Sequence, residues 1–184
     1  MSSALGLLAG ALGSLRIPYL IGGSLASATH GVLRATLDVD ILAAVTAGQA
    51  DALCAALGDG WYADAEEIRM ALGAGRAFNL IHVATVRKFD VFPAVSEFHF
   101  SELARATRLR VEAFGERTFC PVATAEDILL AKLLWYRAGG EVSERQWADI
   151  TGILEANREP DLDYLGEWAR KLGVEALLAR AMGG

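Results

Sequence analysis

The stretch from Pro18 to Leu42 constrains the fold more than any other part of this chain. Pro18-Tyr19-Leu20-Ile21 is a short apolar run that reads as a buried strand, and Gly22-Gly23-Ser24 breaks it. A helix is expected from Ser24 to His30, stopped by Gly31. Asp38-Val39-Asp40-Ile41-Leu42 then alternates polar and apolar positions, the pattern of a half-buried strand. Asp38 and Asp40 are two positions apart, so their side chains leave the strand on one face. Carboxylates that close repel unless a cation lies between them, and Mg²⁺ is a hard cation suited to such oxygens. In the turn ahead of them, Gly22 and Gly23 remove side chains, so backbone N–H groups can approach a phosphate, and Ser24 adds a hydroxyl. Alone, a Gly-Gly-Ser turn is usually just a turn, and an Asp-x-Asp just a solvated strand face. Their union in one strand–turn–helix–strand unit points to phosphate chemistry.

The rest of the chain alternates helix and strand before turning helical. Residues 1–15 are apolar, with Leu5, Leu8, Leu12 and Leu15 at helical spacing. That run has no basic start and is too short for a bilayer, so an amphipathic helix on a soluble, cytoplasmic protein is expected. Helices are expected over Gln49–Leu57, Ala65–Leu72 and Ser96–Ala104, and a short strand at Trp61–Ala63. Phe78–Val83 and Arg87–Phe92 should pair antiparallel, as should Leu109–Ala113 and Thr118–Pro121. From Thr124 onward the pattern is helical. Thr124 with Asp127, and Ser143 with Gln146, resemble capping boxes. The expected organisation is a mixed α/β core over residues 1–122, its mixed β-sheet flanked by helices, and a helical region over 123–184.

Composition narrows the class. With 184 residues, 53% of them hydrophobic, the chain is long enough to bury a core unaided. A net charge of −6 argues against a duplex-DNA partner held by a basic surface. Only Cys54 and Cys120 are present, with no Cys-x-x-Cys pair, so buried reduced thiols are expected rather than disulfides or a zinc finger. The four Trp and three Met are expected in the core.

Other residues admit both a chemical and a plain reading. Asp90, in Lys88-Phe89-Asp90-Val91-Phe92, would reach the Asp38–Asp40 pair if the two strands are neighbours; otherwise it is a strand-face ion pair to Lys88. Lys132 stands in the apolar run Ile128–Tyr136, either aimed at an anion or snorkelling at the helix edge. Asp149 follows Arg145 by four positions, which a helical ion pair explains. Arg34 is a phosphate or acceptor contact or a surface ion pair, Thr36 a brace for the loop, and His30 a helix-end packing group. Arg105, Arg108, Arg110 and Arg117 form one basic cluster, which is an RNA groove or a solvated edge strand.

Taken together, Gly22-Gly23-Ser24, Arg34-x-Thr36-x-Asp38-x-Asp40 and the later Asp90 resemble the DNA polymerase β-type nucleotidyltransferase superfamily. Within it, residues 21–41 resemble the AbiEii-like minimal nucleotidyltransferases, a class of type IV toxins. The likeness covers residues 18–42 and extends loosely to Asp90 and to 124–156. It implies the nucleotidyltransferase fold and a Mg²⁺-dependent transfer of a nucleoside monophosphate from an NTP to a hydroxyl, on RNA such as tRNA or on protein. It implies two Mg²⁺ ions on Asp38, Asp40 and Asp90, with Asp90 beside the attacking hydroxyl. It also implies nucleotide contacts from Gly22, Gly23, Ser24, Arg34, Lys132 and Asp149, with Lys132 on the triphosphate and counted with the catalytic carboxylates. An antitoxin would then be a partner. Two alternatives stand beside this reading: a nucleotide- or partner-binding module on the same fold, and a transferase acting on a small molecule such as an antibiotic.

Overall fold

The computed structural model describes residues 3–31, 38–113 and 115–183. Helix α1 (Ala4–Ser14) starts at Ser3, whose hydroxyl accepts the Gly6 N–H at 2.9 Å. It is followed by β1 (Tyr19–Ile21), α2 (Gly23–Thr29) and β2 (Asp38–Ala43). A 3₁₀ turn at Ala47–Gln49 opens α3 (Ala50–Leu57), then β3 (Trp61–Tyr62), α4 (Ala65–Gly73), β4 (Phe78–His82), β5 (Arg87–Pro93) and α5 (Glu97–Arg105) follow. The hairpin of β6 (Thr107–Ala113) and β7 (Glu116–Val122) leads into α6 (Ala125–Ala138), α7 (Glu144–Ala156), α8 (Leu162–Leu172) and α9 (Glu175–Ala181). Thus the mixed α/β architecture with a helical C-terminal region is present. Pro93 closes β5 as its last paired residue, opposite Ala43, where no further N–H is needed.

The chain divides into two compact units, one of residues 1–25 and 35–123, the other of 26–34 and 124–184. Short segment 26–34, within the region expected to be core, clusters with the C-terminal helices. There the His30 carbonyl accepts from Asn157 Nδ2 at 3.3 Å. Gly31, at φ +97°, is close enough to Ala156 that a Cβ would stand 2.9 Å from the alanine methyl.

The first unit is built on one seven-stranded sheet in the order β3-β4-β5-β2-β1-β7-β6. β2 pairs antiparallel with β1 and parallel with β5, so the sheet is mixed. β4–β5 and β6–β7 are antiparallel hairpins, as their short connections require. One sheet face carries Val39, Ile41, Phe89, Val91, Phe78 and Leu80, all buried. α1 reaches that face through Ser3 Oγ, 2.9 Å from Thr118 Oγ1, and α3 packs beside α1 and α4 beside α3. Trp61 closes it at the β3 end, its ring 5.3 Å from that of Phe89. Along β2 and β5, Val39, Ile41, Phe89 and Val91 face the helices, while Asp38, Asp40, Lys88 and Asp90 lie on the other face, which also carries Leu42 and Phe92.

Not every large apolar residue lies inside. Trp61 and Trp168 are buried, but Trp135 and Met70 are exposed on the outward faces of α6 and α4, and Met182 is exposed just past the end of α9. Cys120 is buried and Cys54 only half-buried. Among the described residues no helix is long and apolar enough to cross a membrane.

Candidate active site

The parallel register between β2 and β5 sets Asp40 beside Asp90 and Asp38 beside Lys88. Residues in register on neighbouring strands project to the same face, so all four share the side opposite the helix-covered core. The sequence left open whether Asp90 joins the Asp pair or binds Lys88. β5 is the neighbour of β2, and Asp90 carries the ion pair to Lys88. Lys88 Nζ lies 3.0 Å from Asp90 Oδ2 and 3.8 Å from Asp38 Oδ2. The Asp90 side chain is 19% exposed, against 51% for Asp38 and 40% for Lys88, so the site deepens from Asp38 toward Asp90.

The Gly22-Gly23-Ser24 turn sits against the same carboxylates. Gly22 N–H donates to the Asp40 carbonyl at 2.9 Å, extending the β1–β2 ladder by one residue and ending it beside Asp40. Gly23 has φ +55°, a backbone that side chains rarely adopt. A Cβ there would overlap the Asp40 carboxylate, lying 2.6 Å from its Cγ and 2.9 Å from its Cβ. Glycine is thus demanded twice, by the backbone angle and by the approach of Asp40.

Lys88 was not among the residues singled out for chemistry. The signal that could have found it is its place two positions before Asp90, on the same strand face. The Asp90 hydrogen bond, the largest cause, raises the Lys88 pKa above the usual lysine value. Desolvation opposes this, and the Asp90, Asp38 and Asp40 charges add to the rise. The ammonium therefore stays charged and neutralises part of the carboxylate cluster.

The donor chemistry of Asp38, Asp40 and Asp90 fits a hard divalent cation, and an ammonium already lies between two of them. Among the described residues, no group of three or more Asp, Glu, His or Cys is drawn together tightly enough to form a ready metal cage. The carboxylates are presented on one face, with the Lys88 ammonium between Asp38 and Asp90.

Lys132 and Asp149 belong to the second unit. Lys132 Nζ lies 2.8 Å from Asp149 Oδ2, with the side chains 15% and 12% exposed. α6 and α7 pack with these two charges facing each other. A lysine in an apolar run finds its counter-charge on the neighbouring helix. A second buried carboxylate in this unit went unmarked as such in the sequence. Asp127 is fully buried; Tyr164 donates to it at 2.5 Å and the Thr124 hydroxyl at 2.9 Å, so it is satisfied as a helix-start anchor. Arg34 and Thr36 lie outside the described residues. Of the basic cluster, Arg108, Arg110 and Arg117 stand exposed on the β6–β7 ribbon, with Arg117 Nε 3.3 Å from Glu112.

No family model matches the chain, and no curated protein matches it. Among solved structures it is similar to the solution structure of the antibiotic-resistance factor ANT(2'')-Ia, at 16% identity over 97% of this chain and 91% of that one, with a TM-score of 0.48. A crystal structure of ANT(2'')-Ia in complex with adenylyl-2''-tobramycin is similar at 15% identity over 98% and 97% of the two chains, with a TM-score of 0.45. An antigenic nucleotidyltransferase-like protein from Paracoccidioides brasiliensis is similar at 19% identity over 96% and 89%, with a TM-score of 0.46.

Proposed function

We propose that this chain is a Mg²⁺-dependent nucleotidyltransferase of the DNA polymerase β type, moving a nucleoside monophosphate from an NTP to a hydroxyl on RNA or protein. The observation that carries the reading is the register of Asp38 and Asp40 on β2 with Asp90 on β5, beside the Gly22–Ser24 turn. Such a reaction needs negative charge gathered on the transferring phosphate and neutralised there. Bound to Asp38, Asp40 and Asp90, Mg²⁺ would neutralise that phosphate and make the acceptor hydroxyl easier to deprotonate. Asp90, more deeply buried than Asp38 and Lys88, would face the acceptor and help take its proton. Gly22 and Gly23 keep the turn free of side chains, so the donor's β- and γ-phosphates can approach backbone, and Ser24 offers its hydroxyl. The sequence resemblance assigns Lys132 to the triphosphate; within its own unit the ammonium donates to Asp149 at 2.8 Å. Asp149 would then fix where the ammonium points.

The test is transfer of label from each α-labelled NTP, with Mg²⁺, to bulk RNA, bulk protein and an aminoglycoside in parallel. Label should appear on RNA or protein, and Asp40→Asn should reduce it by at least about a hundredfold, since several kcal/mol of barrier stabilisation depend on the ligand. Label on the aminoglycoside alone would move the acceptor to small molecules. Absence of transfer to all three, with no NTP binding by calorimetry, would leave a partner-binding module. The toxin reading and an antitoxin partner rest on the sequence resemblance. Growth arrest on induced expression, relieved by Asp40→Asn, would support them.

A further inference from the structure

We infer that Lys88 is a displaceable counter-ion of this site: its ammonium balances the Asp38–Asp90 carboxylates when no metal is bound, and must leave them for a divalent cation to enter. The inference rests on the metal reading of the three carboxylates given above. Its own basis is geometric. Lys88 Nζ stands 3.0 Å from Asp90 and 3.8 Å from Asp38, on the face those residues share with Asp40. A divalent cation on the same oxygens would meet a positive charge a few ångströms away, and like charges that close repel. The lysine is 40% exposed and carries a flexible four-carbon stem, so it can swing from the strand without disturbing the sheet.

The displaced ammonium needs a new anion, and a triphosphate is one. Metal and polyphosphate should therefore bind together better than either binds alone, a reciprocal coupling carried by this one side chain. The free protein would hold metal weakly, and the metal would enter with the nucleotide.

The experiment measures Mn²⁺ binding by electron paramagnetic resonance and calorimetry, without and with tripolyphosphate, a probe independent of the base. Wild type, Lys88→Met, Lys88→Gln, Lys88→Arg and Asp40→Asn are compared, after circular dichroism and thermal melts confirm folding. Lys88→Met and Lys88→Gln should bind Mn²⁺ alone about tenfold more tightly, from loss of a competing like charge. Their gain in Mn²⁺ affinity on adding tripolyphosphate should shrink, and Lys88→Arg should restore the wild-type pattern. If both neutral variants bind Mn²⁺ alone no more tightly than wild type while Asp40→Asn abolishes binding, the Lys88 inference is overturned and the metal site stands. If no variant binds Mn²⁺, or Asp40→Asn binds it as wild type does, the metal reading falls and the inference falls with it.

Discussion

At the scale of the residue, Gly23 is the most constrained position of the candidate site. Its φ of +55° costs a non-glycine residue about 1 kcal/mol. Its missing Cβ makes room for the Asp40 carboxylate. Gly23→Ala should therefore destabilise the protein by at least about 2 kcal/mol, part backbone strain and part displacement of Asp40. The two parts separate in a double-mutant cycle with Asp40→Gly. Denaturant melts should show the double variant losing less than the sum of the singles, because the clash needs both side chains. Strict additivity would mean that the backbone angle alone sets the cost. Gly-Gly-Ser could be read from the chain as a turn near a phosphate. The contact between Gly23 and Asp40 could not, since it joins positions seventeen apart through the pairing of β1 with β2.

Elements bring charges together that the sequence keeps far apart. Lys132 on α6 and Asp149 on α7 form a pair whose partners are each more than four-fifths covered. Removing one member leaves the other charge covered and unpaired. Lys132→Met should cost about 3 kcal/mol of stability in urea unfolding, the usual penalty for breaking a buried pair. Lys132→Met with Asp149→Leu should regain most of it, because neither charge is then buried alone. A small loss in the single variant would show that water reaches the pair. In the sequence Lys132 was conspicuous as a cation in an apolar run, and Asp149 had a ready local partner in Arg145. Helix periodicity identifies which face of α6 or α7 is apolar, but the facing helix decides which charges meet. β2 and β5 make the same point from the other side. Alternation placed Asp38, Asp40 and Asp90 on one face of their own strands, yet only the parallel pairing in register set Asp40 beside Asp90 and introduced Lys88 between the carboxylates.

At the scale of the whole molecule, the sheet of the first unit ends in β3 on one side and β6 on the other. β3 is two residues long, which offers little template for another strand; β6 is seven residues long and bears exposed Arg108 and Arg110. Charges on an open edge oppose strand pairing, so Arg108→Val with Arg110→Val should increase concentration-dependent association over wild type in sedimentation velocity. An unchanged sedimentation profile would assign the two arginines another purpose. Local patterns carried most of the architecture: apolar periods of two or of three to four residues, capping residues such as Thr124 and Ser143, and glycines at the stops are decided within a few neighbouring residues. They placed the helices and strands close to their observed bounds and marked the carboxylates as unusual. Long-range pairing decided the rest: the strand order, the clustering of residues 26–34 with the C-terminal helices, the partner of Lys132, and the ammonium of Lys88 among the acids. A side chain's direction follows from its own strand or helix, whereas its neighbour depends on which distant segment buries the complementary face.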